Sequence, residues 1–248
     1  MEEVLWMAFF ENVHNPLTSN ILDQNTNNPK FEKFYKDHIR KLLLVRHGKR
    51  YLSKGNYNIT RLEYLLKLFP DARFVIPVRQ PATHVASLMK QHKLFCQGQE
   101  ENRRALEHLR RTGHFEFGLD FRPINTGDKH QTKEIKDTLK NGEEVRAWSR
   151  YWRYIHRYLA DTLAENPDLE KAAMIVRYED FCASRRETLE AIQNHCDLME
   201  DASVIAKYEG NIKLPTYYKI NFTEKELRII EEETQETEKR FYPISTYA

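Results

Sequence analysis

An arginine and a serine lie eight residues apart at a point where a short apolar segment is followed by a helical pattern. Arg79 follows the apolar segment 74–78 directly, and Ser87 lies in the pattern that begins at Pro81. Proline suits the first turn of a helix because its missing N–H is not needed there. The free N–H groups of that turn, the helix dipole and a guanidinium all attract a phosphate oxygen. These residues therefore predict a site for a phosphate-bearing ligand.

The elements that would position these residues alternate between strand and helix. Segments 74–78 and 173–176 are short, apolar and bounded by charge, as buried parallel strands are, and a third strand is predicted over 51–53. The spacing of apolar residues predicts helices between and around the strands. These predicted helices are 29–43, 58–69, 81–89, 100–111, 143–163, 185–196 and one that runs from a Thr223–Glu226 capping box to about Arg240. This order predicts an α/β fold of three layers, a parallel sheet flanked by helices, in which ligands gather at the carboxyl ends of the strands.

Composition limits the possible classes of protein. A chain of 248 residues suits a single domain, 1–248, and a net charge of +2 is too small to argue for nucleic-acid binding. The sequence has no apolar run of membrane-spanning length and no signal peptide, which predicts a cytoplasmic protein. Three cysteines without CxxC spacing and ten scattered histidines predict free thiols and no metal site.

Three segments carry a resemblance to a known family. VRQPATHVASL at 78–88, with LFPDARF just before it, resembles the 3′-phosphate-binding motif of the sulfotransferases that use 3′-phosphoadenosine 5′-phosphosulfate, PAPS. VRYEDF at 176–181 follows a tryptophan-rich helix and is similar to the family's strand followed by Tyr-Glu-Asp. YLSKGN at 51–56 resembles the strand-plus-lysine element of the tyrosylprotein branch. The resemblance extends from about Tyr51 to the C-terminus.

The resemblance implies a fold like that of the P-loop nucleotide hydrolases and a role for three residues. Arg79 and Ser87 would hold the 3′-phosphate of the nucleotide, and Lys54 would act at the oxygen that leaves the sulfuryl group. PAPS would be the donor substrate, with no metal. The acceptor would be a hydroxyl or amine on a carbohydrate, a protein, a lipid or a small alcohol. The alternative for Lys54 is a surface lysine at the end of a strand.

The largest departure from the family concerns the 5′-phosphosulfate. The family holds this group with a Gly/Ser/Thr-rich loop after its first strand, and no such loop is found in the sequence. His47-Gly48-Lys49-Arg50 lacks the GxxxxGK[ST] arrangement and precedes a predicted strand. Together with the apolar start at Val4, this favours an N-terminally truncated sulfotransferase that lacks the first strand and loop and is inactive as given. The alternative is a non-catalytic nucleotide-binding or interaction protein that retains only the 3′-phosphate half-site.

Other candidate residues remain open. Glu11 and His14 could act as the general base, but a lone histidine in an Asn-rich loop is more often structural. Residues before the last predicted helix lie where relatives close over the nucleotide; these are Lys213, Tyr217, Tyr218 and Lys219. An arginine cluster, Arg103, Arg104, Arg110 and Arg111, fits a solvated face better than a site for an anionic acceptor.

Overall fold

The structure is a computed structural model in which residues 2–198, 202–214 and 221–243 are described. Most of these residues are helical, and two strands form a small parallel sheet, so the fold is α/β. In chain order the elements are α1 (Glu3–Phe9), α2 (Pro29–Arg46), a 3-10 helix (Asn56–Thr60), α3 (Leu62–Leu68), β1 (Phe74–Val78), α4 (Pro81–Glu101), α5 (Arg103–Thr112), α6 (Lys129–Lys140), α7 (Glu144–Glu165), α8 (Pro167–Ala172), β2 (Ala173–Arg177), α9 (Tyr178–Ala183), α10 (Arg185–His195), α11 (Ala202–Glu209) and α12 (Glu224–Glu238). The described helices contain no segment that is long and apolar enough to cross a membrane.

The residues group by their contacts into two compact units. Unit 1 comprises Met1–Pro70 and Leu94–Lys133, and unit 2 comprises Asp71–Lys93 and Glu134–Ala248. Each unit is described by itself below. That the whole chain is one domain stays a prediction.

An aromatic core holds α1, α2 and α3 together in unit 1. Its buried residues are Trp6, Phe31, Tyr35, Tyr64 and Leu68. The ring centroids of Trp6 and Phe31 are 4.5 Å apart, and those of Phe31 and Tyr35 are 5.1 Å apart in a stacked arrangement. Such ring pairs add to the free energy gained by burying apolar area. The apolar start of the chain is therefore explained by α1, which buries Trp6 in this core.

The strand predicted over 51–53 is wrong, because residues 51–55 have no strand pairing. Side chains hold this segment instead. The hydroxyl of Tyr51 donates to Glu2 Oε1 over 2.6 Å, and that of Ser53 donates to Glu2 Oε2. Leu52 is 92% exposed, which a buried parallel strand would not allow. Lys54 therefore follows an extended segment that is fixed by a carboxylate and not by a sheet.

Unit 2 contains the sheet and the long helices α7 and α12. β1 and β2 are parallel, with Phe74 opposite Ala173 and Val78 opposite Arg177, so both strands end at the same edge. This confirms both predicted strands in a parallel sheet. The three-layer arrangement stays a prediction, because the described residues form a sheet of two strands.

The tryptophan-rich helix α7 packs against α12. Trp148 and Trp152 are each 1% exposed, as their helical spacing predicts. Three arginines on another face of α7 converge on one buried carboxylate, Glu233 of α12, with contacts of 2.8 to 3.0 Å; they are Arg146, Arg150 and Arg153. α12 also begins with the predicted capping box, in which Thr223 and Glu226 exchange hydrogen bonds. These arginines thus join two helices of unit 2.

Candidate functional site

The register of the sheet brings the residues after the two strands together in unit 2. Val78 and Arg177 are paired, so Arg79 and Tyr178 lie side by side at the carboxyl edge. The guanidinium carbon of Arg79 is 5.0 Å from the centroid of the Tyr178 ring, within the range of a cation–π contact. A fixed cation therefore stands where α/β folds place their ligands.

The guanidinium of Arg79 has no hydrogen bond or ion pair with any of the described residues. Its Nε is buried and has no partner, and no carboxylate lies within ion-pairing distance in the described ranges. A buried guanidinium nitrogen normally has a carboxylate or carbonyl partner, because an unpaired polar group is costly away from water. The arginine predicted to bind phosphate is half-buried, and none of the described residues neutralises its charge.

Ser87 lies two turns into α4, a helix that begins at the predicted Pro81. Val85 and Ala86 are buried at 0% and 6% exposure, which fixes this part of the helix in unit 2, while Ser87 is half-buried. At the start of the helix, the Thr83 hydroxyl donates to the carbonyl of Gln80 over 3.0 Å. Arg79 and Ser87 are thus held by the same strand-to-helix connection.

Glu179 ties the connection after β1 to other parts of unit 2. Its Oε1 accepts from the backbone N–H of Gln80 over 3.1 Å, and its Oε2 accepts from the Tyr242 hydroxyl over 2.8 Å. Burial and the Glu179 carboxylate raise the pKa of Tyr242 well above its ordinary value, so the hydroxyl stays a donor. The same hydroxyl is 3.4 Å from the carbonyl of Val78. The Tyr-Glu-Asp element found in the sequence thus fixes the backbone next to Arg79.

Two histidine rings pack together next to this connection, and neither histidine was predicted as a site residue. His84 of α4 and His156 of α7 meet edge to face, with ring centroids 5.8 Å apart. Burial and the neighbouring charge of Arg79 lower the pKa of His84 to about 4. Burial and His84 lower the pKa of His156 to about 3, against a hydrogen bond with Trp152 that favours protonation. Both imidazoles are therefore neutral at pH 7.

Lys54 belongs to unit 1, whereas Arg79 and Ser87 belong to unit 2. Its side chain is exposed and has no hydrogen bond or ion pair with the described residues. The segment around it is fixed on both sides, by the contacts of Tyr51 and Ser53 with Glu2 and by a 3.3 Å hydrogen bond from Asn56 Nδ2 to Glu116 Oε1. The structure thus presents the Lys54 ammonium to solvent on an anchored segment.

The two candidates for a general base differ in exposure. Glu11 is exposed, and His14 is buried with its ring 4.3 Å from that of Tyr57. His14 Nε2 is 2.8 Å from Glu3 Oε1, and Glu3 in turn binds Arg61 through both carboxylate oxygens. His14 is therefore part of a buried cluster in the core of unit 1, which supports the structural interpretation.

The remaining candidates make fewer contacts. Lys213 is exposed, and its carbonyl accepts a long 3.5 Å hydrogen bond from the Tyr178 hydroxyl; Tyr217, Tyr218 and Lys219 lie outside the described residues. In the arginine cluster, Arg110 pairs with Asp120 at 2.7 Å, and the other three side chains are exposed.

A groove in unit 2 lies away from the residues predicted to bind phosphate. Its volume is about 340 Å³, it is bordered by α7, β2 and the end of α12, and neither Arg79 nor Ser87 lines it. The described residues contain no group of three or more His, Cys, Asp or Glu side chains arranged to hold a metal ion. The three cysteines are free thiols, as predicted.

Comparison with known proteins gives one match. Residues 8–117 match the model described as the sulfotransferase family, which is less than half of the chain. No curated protein and no solved structure matches the chain. The matched range contains Lys54, Arg79 and Ser87 and ends before Tyr178, so it covers two of the three segments that carry the resemblance. This match supports membership of the chain in the sulfotransferase family.

Proposed function

We propose that the protein binds PAPS and transfers its sulfuryl group to a hydroxyl or amine acceptor. The observation that carries this proposal is the guanidinium of Arg79, which stands at the carboxyl edge of the sheet without a neutralising partner among the described residues. A phosphate group would supply the missing negative charge. The family match over residues 8–117 supports sulfuryl transfer as the class of reaction.

Arg79 and Ser87 are proposed to hold the 3′-phosphate. The guanidinium can donate two parallel hydrogen bonds to phosphate oxygens, and the Ser87 hydroxyl can donate one more from the helix that follows. The hydrogen bond from Gln80 to Glu179 fixes the backbone next to the arginine. This arrangement favours a nucleotide that carries a 3′-phosphate over one that does not.

Lys54 is proposed to act on the transferring group. In sulfuryl transfer the acceptor oxygen or nitrogen attacks sulfur while the bond from sulfur to the phosphate oxygen breaks, and adenosine 3′,5′-bisphosphate leaves. Negative charge develops on the leaving oxygen, as in phosphoryl transfer, and an ammonium group near that oxygen stabilises it. The exposed Lys54 side chain on an anchored segment suits this role. The acceptor's proton is transferred to a general base, a role for which none of the described residues is proposed.

The finer fold is proposed on the same basis. A parallel sheet with an arginine at its carboxyl edge and a helix starting two residues later fits a sheet flanked by helices on both faces, of the P-loop nucleotide-hydrolase-like kind.

A second function, nucleotide binding without transfer, is favoured by one observation. The sequence contains no Gly/Ser/Thr-rich loop that follows a strand, which is the element needed to position a 5′-phosphosulfate. A protein of this kind would bind adenosine 3′,5′-bisphosphate through Arg79 and Ser87 and transfer nothing.

Two measurements test the proposal. Calorimetry should show that adenosine 3′,5′-bisphosphate binds at least about 10-fold more tightly than adenosine 5′-phosphate, the effect of one charge-assisted contact. Equal affinity for the two ligands would contradict both functions. Transfer of label from radiolabelled PAPS to a panel of carbohydrate, tyrosyl-peptide, lipid and alcohol acceptors then separates the enzyme from the binding protein.

A further inference from the structure

Two buried nitrogen atoms in the connection after β1 have no hydrogen-bond partner among the described residues. They are Arg79 Nε and His84 Nδ1. Although part of the His84 residue reaches the surface, its Nδ1 does not. Buried polar atoms almost always have a partner, because leaving one without a partner is costly away from water. The two atoms are only five residues apart in the chain, and both belong to the segment that carries the proposed 3′-phosphate site.

His84 lies between the two residues proposed to hold the 3′-phosphate. Ser87 is three residues further along α4, and residues three apart lie on the same face of a helix. Arg79 is five residues before His84, at the end of β1, and α4 begins between them. His84 is therefore in the first turn of the helix that follows Arg79 and on the Ser87 side of that helix, and the charge of Arg79 lowers its pKa.

The ring of His84 is held in place by His156 of α7. His156 stacks on Trp152 with ring centroids 3.9 Å apart, and its Nδ1 is 2.8 Å from the Trp152 carbonyl. Because a carbonyl oxygen can only accept, His156 Nδ1 carries the hydrogen. His156 is thus neutral and fixed, and its ring meets that of His84 at 89°. His156 thus packs against the edge of the His84 ring from α7.

We infer that His84 is a third binding residue of the 3′-phosphate site, donating a hydrogen bond from Nδ1 to an oxygen of the phosphate that Arg79 and Ser87 hold. A phosphate oxygen accepts several hydrogen bonds, so one oxygen or two neighbouring ones would satisfy both Arg79 Nε and His84 Nδ1. This inference rests on the proposed function and adds a residue to its site.

Phosphate binding also changes the charge that His84 experiences. The charged and titratable groups that act on His84 are Arg79, from the connection after β1, and His156, from α7. A phosphate dianion offsets the Arg79 charge and attracts a proton to His84. At pH 6, His84 should therefore take up a fraction of one proton when adenosine 3′,5′-bisphosphate binds.

The test compares two substitutions of His84 with one at a matched position. His84→Leu removes the donor at similar size, whereas His84→Asn keeps an N–H donor close to the position of Nδ1. His92→Asn is the control, since His92 is on the same helix and packs its ring against Trp148 instead. Each variant is first checked for an unchanged circular dichroism spectrum and cooperative unfolding, then titrated with adenosine 3′,5′-bisphosphate and with adenosine 5′-phosphate.

We expect His84→Leu to weaken binding of the bisphosphate about 10-fold and of the monophosphate less than about twofold. His84→Asn and His92→Asn should stay within about threefold of wild type for both ligands. Titrations at pH 6 in buffers of different ionisation enthalpy should show that binding takes up more protons in wild type than in His84→Leu, since proton release from the phosphate groups of the ligand is common to both.

Two outcomes would overturn the inference and are distinguishable from failure of the proposed function. If wild type prefers the bisphosphate and His84→Leu keeps that preference, His84 does not bind the 3′-phosphate. If His84→Leu weakens both ligands equally, the residue acts through packing. A wild-type protein that does not prefer the bisphosphate overturns the proposed function and this inference with it.

Discussion

Arg61 in unit 1 and Arg79 in unit 2 each lie over an aromatic ring, and of these two arginines only Arg61 has a carboxylate partner among the described residues. The Arg61 guanidinium carbon is 4.4 Å from the centroid of the Trp6 ring, and its two terminal nitrogens bind Glu3 at 2.6 and 3.0 Å. Arg79 lies over Tyr178 in a similar way and has no such carboxylate among the described residues. The two arginines therefore share a stacking arrangement and differ in how their charge is balanced.

The balanced arginine has a purely structural explanation. Arg61 is fully buried, and Glu3 is also close to His14. Burial by itself would raise the pKa of Glu3, but its contacts with His14 and Arg61 hold the pKa below its ordinary value. The Nε of Arg61 also lacks a partner among the described residues, so an unpaired Nε is not sufficient to indicate a ligand. What distinguishes Arg79 is that no described carboxylate pairs with any part of its guanidinium.

The largest expected effect tests the structural side of the comparison. Glu3→Ala leaves Arg61 buried without a counter-charge, and breaking a buried ion pair in this way costs about 3–5 kcal/mol. We expect urea unfolding to show this loss of free energy, while folded protein at low temperature keeps its preference for adenosine 3′,5′-bisphosphate. Glu11→Ala, an exposed carboxylate on the following loop, should change the free energy of unfolding by less than about 0.5 kcal/mol. A loss under about 1 kcal/mol for Glu3→Ala would contradict a structural role for the pair.

The next effect concerns Lys54, which has no ion pair with the described residues. Lys54→Ala should lower the rate of sulfuryl transfer about 100-fold or more, with a smaller change in nucleotide affinity. Lys49→Ala, a nearby exposed lysine, is the control. Initial rates with radiolabelled PAPS measure the effect. A decrease of less than about threefold for Lys54→Ala would return the residue to the surface-lysine interpretation.

The ligand side of the comparison is tested at Arg79. Arg79→Ala should weaken binding of adenosine 3′,5′-bisphosphate roughly 10- to 100-fold, because one charge-assisted contact contributes about 1.5–3 kcal/mol. Unlike Glu3→Ala, it should not strongly destabilise the fold, since it removes a charge that has no carboxylate partner among the described residues. Calorimetry and urea unfolding measure both quantities. Arg73→Ala, before the other end of β1, removes an arginine that pairs with Asp197 and should leave affinity unchanged. A large loss of stability with unchanged affinity in Arg79→Ala would show that Arg79, like Arg61, has a structural role and does not bind the ligand.

The smallest effect concerns pH. His84 and His156 are held neutral in the folded protein, with pKa values of about 4 and 3, and the pKa of His92 is also lowered by burial. The unfolded chain binds protons at these histidines near the ordinary pKa of about 6.5, so stability is present above that pH and is lost as pH falls. We expect a loss of about 1 kcal/mol for each of His84 and His156 between pH 7.5 and 5.5.

Urea unfolding at the two pH values measures this loss of free energy. His84→Leu should reduce the loss by about 1 kcal/mol, the contribution expected from His84. Carboxylates such as Glu3 contribute in the same direction, but only at lower pH, near their own unfolded pKa values. Equal stability of wild type at pH 7.5 and 5.5 would show that the two imidazoles are not held neutral.

Local patterns predicted the elements that position Arg79 and Ser87. The short apolar segments became β1 and β2, Pro81 begins α4, and Thr223 caps α12, because each of these signals lies within a few residues of its effect. The strand predicted over 51–53 fails for the opposite reason. Its conformation is decided by Glu2, a residue 49 positions away from Tyr51 that no local pattern relates to it.

The helix α6 is not among the predicted helices. Asp128 accepts from the backbone N–H of His130 over 2.8 Å and starts it. Ile135, 1% exposed, then anchors it. Two apolar positions in a polar helix are too few for periodicity to be detected.

For the candidate site, the sequence identified the Arg79 motif and the Tyr-Glu-Asp element, but not that the two meet. Tyr178 and Glu179 come from α9 and Tyr242 from the segment after α12, and only the folded chain shows that they meet the end of β1. His156 comes from α7 and meets His84 of α4. His84 is inside the motif, but one histidine in a sequence does not indicate whether its ring is buried.

The hydrogen bonds around Gln80 and Val78 have a consequence for the order in which a newly made chain acquires its parts. Gln80 is joined to a carboxylate 99 residues later, and Val78 lies next to a hydroxyl 164 residues later. During synthesis, which proceeds at roughly 5–20 residues per second, β1 emerges many seconds before either group. Throughout that interval a strand edge and an unneutralised guanidinium are both present on the ribosome-bound chain. Recognition of the nucleotide would thus be among the last properties the chain gains, and a nucleotide analogue immobilised on a resin would retain finished chains and release nascent ones.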